Sequence, residues 1–328
     1  MTIWSVGRVM SLLFNTLSRF VIVLLDSEVS IRAKILRELI ARFSFLNTAR
    51  HKFKDGEQRK KIAEPAWKCP TGYHLTCLEN DNFSMEFLQA EKNPRHLAVL
   101  QLHGGGYVGA MTNAHRSTGV LYSQMGKGAA VLTIDYRVAP ENPYPAALED
   151  ALYAYEWLLM QGYKEEEIIL GGDSAGGGLA MALCLYLRDH GRKLPKGIIA
   201  MSPWADLTAS GASYVENFEL DPLFGKSKDS LIYDSDYIGN DDPKNPYISP
   251  VFGDFTGFPP MLIQVGSIEM LLSDSLTVEK KAKAQGVKVK LSVYQGMFHV
   301  FQRAMLLMPE SKKAWLEVEK FIEELLEM

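Results

Sequence analysis

From about residue 74 onward the chain alternates between two hydrophobic patterns. The short runs "HLAVLQL", "AAVLTID", "EEIIL", "KGIIAM", "PMLIQV" and "KVKLSVY" are rich in apolar residues. Such runs read as strands covered on both faces. Between them lie longer stretches with apolar residues three or four apart. These are a segment around Ser117 to Met125, "LEDALYAYEWLLMQG", "AGGGLAMALCLYLRDHG", "DSLTVEKKAKAQG" and the closing "SKKAWLEVEKFIEELLE". They read as helices. Ahead of the alternation, "HLTCLEN" and "FSMEFLQAE" look like an antiparallel pair. The whole pattern predicts an α/β fold: a mostly parallel central sheet flanked by helices.

Two stretches stand outside this rhythm. Residues 1–50 read as helices, and 209–250 as a loop-and-helix insert. Both could pack together as a helical cap, with 51–328 forming the catalytic domain and 209–250 contributing a second cap insert. "VMSLLFNTLSRFVIVLL" (Val9 to Leu25) is mostly apolar. As a helix it would span about 26 Å, short of a bilayer core. Asn15 and Arg19 interrupt it, helical periodicity continues through "IRAKILRELIARF", and "LLDSEVS" is a poor cleavage site. An amphipathic helix on a soluble domain is the favoured reading, and contact with a membrane surface the weaker one.

Composition narrows the function classes. Of 328 residues, 47% are apolar and 23% charged, with a net charge of −4 and no long basic tract. That argues against a nucleic-acid partner. Three cysteines without a CxxC pair suit a reduced, cytoplasmic compartment. Seven histidines show no metal-ligand spacing, so no metal is expected.

In open α/β sheets chemistry gathers where strands end. "EEIILG" ends in "GDSAGG", a G-x-S-x-G centred on Ser174 between an apolar strand and an apolar helix. A sharp strand-to-helix turn there exposes a strained serine hydroxyl, and the new helix aims its amides at the reaction centre. A serine nucleophile needs a base. His190 lies on the polar end of a helix too soon after Ser174, whereas His299, in "YQGMFHVF", follows the last strand. The order serine, acid, histidine leaves three carboxylates as the acid: Glu269, Asp274 and Asp206. Glu269 directly follows "PMLIQVGSI" and is favoured. Asp274 falls at the start of the next helix, where an acid often only marks the helix start.

"LQLHGGGYVGA" explains itself in this light. Attack by Ser174 creates an oxyanion, and bare backbone amides can stabilise it. The expected donors are Gly104, Gly105 and Ala175, with any Cβ in the glycine stretch crowding the substrate. His103 is expected to brace the loop by hydrogen bonds. Tyr107, Phe298, Phe14 and Phe20 are candidate pocket walls.

"HGGGYV", "DYRVAPENPYPAALED", "GDSAGGGLA", "SPWADL" and "GMFHVF" occur in this order at sensible distances. Together they resemble the bacterial hormone-sensitive-lipase-like (family IV) carboxylesterases, in the GDSAG subgroup. The similarity covers roughly residues 70–328, and the N-terminal helices fit that family's cap. The resemblance implies an α/β-hydrolase fold with a helical cap, and a serine esterase acting on short to medium acyl chains without a cofactor. Carried over, Ser174 is the nucleophile and His299 the base, with Gly104, Gly105 and Ala175 as oxyanion donors. Asp135 and Arg137 would brace the nucleophile region. The family commonly has aspartate where Glu269 stands. A homodimer through an edge strand is a further family-based expectation. Prolyl-oligopeptidase-like peptidases share G-x-S-x-G-G but carry a large propeller. Gibberellin receptors share the fold but have lost the histidine that this chain keeps.

Overall fold

The computed structural model describes residues 29–46 and 64–328. Its sheet has eight strands: β1 Tyr73–Glu79, β2 Ser84–Ala90, β3 Arg95–Leu102, β4 Ala129–Asp135, β5 Ile168–Asp173, β6 Gly197–Met201, β7 Met261–Gly266 and β8 Val289–Tyr294. They lie in the order β1-β2-β4-β3-β5-β6-β7-β8. β2 runs antiparallel to both its neighbours, and every other pair is parallel. The helices are α1 Ile31–Leu46, α2 Asn113–Met125, α3 Ala146–Met160, α4 Ala175–Asp189, α5 Ser213–Glu216, α6 Leu272–Ala284 and α7 Pro309–Glu327.

The continuous apolar runs are explained by a two-sided split. Ala98, Leu100 and Leu102 of β3, with Ile168 and Leu170 of β5, join one core with α3, α4 and α6. Leu97 and Val99 of β3, with Ile169 of β5, join a second core with α2 and α7. Alternate side chains of one strand thus serve opposite cores. Each buried aliphatic side chain contributes about 1.5–3 kcal/mol. α7 is also held by polar contacts: the Trp315 indole donates to the Gln302 carbonyl (3.1 Å), and the buried Gln264 amide donates to Ala314 (2.9 Å).

Two regions surround the carboxyl ends of the strands. Ala33 of α1 and Val29 just ahead of it pack onto Met297, Phe298 and Phe301. The Glu310 carboxylate anchors its start, accepting from the Ser30 amide (2.7 Å) and hydroxyl (2.9 Å). Residues 209–250 hold little regular structure beyond the single turn of α5 and short 3-10 turns such as Asp236–Ile238. The helix expected there is therefore much shorter than the sequence suggests. The segment packs on the core through Tyr214, Ile232, Tyr237 and Ile248. Val9 to Leu25, with Phe14 and Phe20, lie outside the described residues. Among the described residues, no helix is long and apolar enough to cross a membrane.

Candidate active site

β5 delivers Ser174 at the start of α4 with φ 53° and ψ −122°. A non-glycine residue with positive φ is strained by about 1–3 kcal/mol, and local contacts hold it. The Ser174 amide donates to the Met201 carbonyl (2.9 Å), and the Ser174 carbonyl accepts from Trp204 (2.9 Å). The flanking glycines are required by close approach: a Cβ at Gly172 would strike the Gly176 carbonyl, and one at Gly176 would strike that of Leu102. Tyr107 (φ 60°), Ser202 (φ 48°) and Val300 (φ 52°) also have positive φ. All three adjoin the site in sequence or contact, as expected where strain is stored for function.

His299 follows β8, and Glu269 lies three residues beyond the end of β7. Imidazole Nδ1 is 2.9 Å from Glu269 Oε2, and Nε2 is 2.8 Å from Ser174 Oγ. An ionised carboxylate can only accept. This geometry suits a ring proton on Nδ1, which leaves Nε2 as an acceptor facing the serine hydroxyl. Glu269 is fully buried. Its Oε1 accepts from the Ser202 hydroxyl (2.7 Å) and from the Gly266 amide. Ser202 Oγ in turn accepts from the Val300 amide (3.1 Å), so one hydroxyl ties the carboxylate to the backbone just after His299.

The other two carboxylates do different work. Asp274 Oδ2 accepts from the amides of Ala205 and Asp206, both at 2.9 Å. Burial, with the nearby charge of Asp206 as a lesser cause, pushes the Asp274 carboxyl well above its ordinary range. Asp206 caps the following turn, accepting from Thr208 (2.9 Å) and Ser210 (3.0 Å) amides. Both staple the loop after β6. His190 sits at the exposed end of α4.

A family model described as alpha/beta hydrolase fold matches residues 99–303. The chain belongs to this family. Among similar proteins, an acetyl-hydrolase of Streptomyces hygroscopicus is 41% identical over 225 residues, 66% of this chain and 72% of its own. An esterase of Acinetobacter venetianus is 37% identical over 240 residues, covering 72% of this chain and 77% of its own. The crystal structure of an esterase from the bacterial hormone-sensitive lipase family superposes with a TM-score of 0.78 at 34% identity, over 90% of this chain and 98% of that one. This α/β-hydrolase is accordingly a carboxylic ester hydrolase of the hormone-sensitive-lipase-like group.

In this hydrolase the glycine loop departs from expectation at one position. The Gly104 amide donates to Asp173 Oδ1 (3.2 Å), so it is already engaged. The amides of Gly105, Gly106 and Ala175 have no acceptor among the described residues. Gly106, which the sequence reading passed over, replaces Gly104 as a free donor. The protein itself also leaves no room for side chains on this loop. A Cβ at Gly104 would strike the Asp173 carboxylate, and one at Gly106 (φ 63°) would come within 2.7 Å of Leu231. His103 is fully buried; its Nδ1 donates to the Gly104 carbonyl (2.7 Å), and its own carbonyl accepts from Tyr136 (2.7 Å). Burial lowers the affinity of His103 for a proton, which suits a brace and not a second base.

The expected pocket walls are also corrected. Tyr107 is 1% exposed and stacks on Tyr237 at 3.8 Å, while Phe298 is 4% exposed under α1. Both are core. The aromatic ring that meets the site is Phe224, edge-on to His299 at 4.8 Å. It comes from the 209–250 insert, where no periodic pattern marks it. Asp135 Oδ1 accepts from Met111 (2.8 Å) beside His103. Arg137 instead clamps its own loop to α3, through Asp150 (2.7 Å) and Glu149 (3.0 Å).

Proposed function

We propose that the enzyme hydrolyses esters of short to medium acyl chains through an acyl-enzyme on Ser174, with His299 as base and Glu269 as acid. The observation that carries this reading is the pair of hydrogen bonds, 2.8 and 2.9 Å, linking serine, imidazole and carboxylate in line. Ser174 Oγ attacks the ester carbonyl as His299 Nε2 takes its proton. Glu269 stabilises the resulting imidazolium and fixes its tautomer. The negative oxygen is met by the amides of Gly105, Gly106 and Ala175, each such donor being worth about 3 kcal/mol in the transition state. The imidazolium returns its proton to the departing alcohol. Water, deprotonated by the same nitrogen, then cleaves the acyl-enzyme and regenerates Ser174. No step calls for a cofactor.

A limited acyl length is supported by cover over the site: Ser174 and His299 are only 6% and 8% exposed. Phe224 lies against the base and Leu231 against the oxyanion loop. On this reading residues 209–250 act as part of a cap, together with the N-terminal 1–50, over the 51–328 catalytic domain. A reducing, cytoplasmic setting is supported by three unpaired cysteines, Cys77 among them exposed. A homodimer would be compatible with β8, which pairs on one side only.

The test is hydrolysis of a para-nitrophenyl ester series from acetate to palmitate by wild type and Ser174→Ala. Activity should peak at the short esters, fall steeply towards palmitate, and vanish in the variant. A maximum at palmitate, or an active Ser174→Ala protein, would overturn the reading.

A further inference from the structure

The turn that presents Glu269 makes two backbone bonds of its own, from the Glu269 amide to the Gly266 carbonyl (3.3 Å) and from the Leu272 amide to the Glu269 carbonyl (3.2 Å), and it is also gripped from outside. Three buried polar side chains from the start of the 209–250 insert grip it: Ser213, Asn217 and Asp221, spaced four residues apart. Ser213 Oγ donates to the Met270 carbonyl (2.6 Å) and accepts from the Ser273 amide (2.8 Å). Asn217 Nδ2 donates to the carbonyls of Ser267 (3.1 Å) and Glu269 (2.7 Å). Asp221 Oδ2 accepts from the Met270 amide (2.8 Å). The backbone is thus pinned on both sides of the Glu269 Cα. The other oxygen of Asp221 accepts from the amides of Leu223 (2.8 Å) and Phe224 (3.0 Å). One carboxylate, 1% exposed, therefore holds the turn bearing the acid and the turn bearing the ring against His299.

We propose that Asn217 and Asp221 are positioning residues that clasp the Glu269 turn to the Phe224 turn and hold the acid–base pair in register. This rests on Glu269 being the triad acid. The physical reason is the steep dependence of catalysis on placement: a shift of about 1 Å can cost about 100-fold. Asn217 supplies only donors to the two carbonyls and Asp221 only acceptors to the three amides. An amide at 221 puts a donor against one of those N–H groups, and an alanine at 217 removes the donor to Ser267 and leaves the Glu269 carbonyl with only the Leu272 amide (3.2 Å). Neither change alters the serine or the imidazole itself; Asp221→Asn also loosens the turn that carries Phe224, whereas Asn217→Ala acts on the Glu269 turn alone.

The experiment measures kcat, KM and the pH profile of kcat/KM on para-nitrophenyl butyrate for Asp221→Asn and Asn217→Ala, beside Glu269→Gln. Circular dichroism and melting report folding. The clasp predicts folded variants with kcat down about 10- to 100-fold, and for Asn217→Ala, which leaves the Phe224 turn in place, KM within about twofold. It also predicts an acid limb moved to lower pH, because the imidazolium loses well-placed carboxylate support. If Asp221→Asn does not fold, Asn217→Ala decides alone, because the Glu269 carbonyl keeps the Leu272 amide as a donor there. Wild-type kcat and an unmoved acid limb in the folded variants would overturn the proposal. So would a loss of rate that only follows the loss of folded protein. An unaffected Glu269→Gln enzyme would instead remove the triad reading itself.

Discussion

Glu269 and Asp274 stand five residues apart, on a turn and on the helix that follows it, and both are buried at 0–1% exposure. Their surroundings differ in kind. Glu269 faces an imidazole, a serine hydroxyl and one amide, so its charge has a partner that can become positive. Asp274 faces two backbone amides and the Tyr214 hydroxyl (3.3 Å), with Asp206 nearby. It is a staple for the loop after β6. Distance from the strand end separates the two roles. Three residues past β7 a side chain still lies over the strand tips, while in the first turn of α6 it points back at the neighbouring loop.

The comparison can be broken by exchanging amide for carboxylate at each position. Glu269→Gln should lower kcat by about 10³- to 10⁴-fold, because the imidazole loses its tautomer and its counter-charge. Asp274→Asn should change kcat by less than about threefold, since the amide oxygen can still accept from Ala205 and Asp206. Steady-state kinetics on para-nitrophenyl butyrate distinguish the two, and the reverse ranking would move the acid to Asp274.

A smaller effect sharpens the same lesson about buried titratable groups. His103 and His115 are both held neutral, chiefly by burial. A histidine whose proton affinity is lowered on folding contributes stability that is present above its unfolded pKa of about 6.5 and lost as pH falls below it. Each such group adds a slope of about 1.4 kcal/mol per pH unit in that window. His115 Nδ1 accepts from the Thr112 amide (2.9 Å) at the start of α2, a place glutamine also fills. His115→Gln should therefore flatten the decline of urea-unfolding stability between pH 6.5 and 5. An unchanged slope would mean that His115 does not titrate across unfolding.

Much of this was legible in the chain. Strands of continuous apolar character had to serve two cores, and β3 and β5 do so residue by residue. Ser174, Glu269 and His299 each follow a strand, so a parallel sheet brings them to one edge whatever lies between. The glycine run was legible as a loop, but the choice among its amides was not. That depends on Asp173 turning its carboxylate onto Gly104, a contact across 69 positions of sequence. Residues 209–250 were legible only as an interruption. Their order comes from buried caps such as Asp221 and Asn217, whose partners lie about 50 positions away and leave no period. Phe224 was hidden for the same reason, and Tyr107 and Phe298 were misjudged because an aromatic beside a motif can equally be core.

The central claim is that one serine is made nucleophilic by one imidazole. Its most direct test is labelling with a para-nitrophenyl alkylphosphonate, which transfers phosphorus to an activated serine and releases para-nitrophenolate. Peptide mass spectrometry should find a single adduct, on Ser174, with para-nitrophenolate released in equal amount, and labelling of His299→Ala should be slower by orders of magnitude. A fully active wild type that remains unlabelled, or that carries its adduct on another residue, would contradict the account.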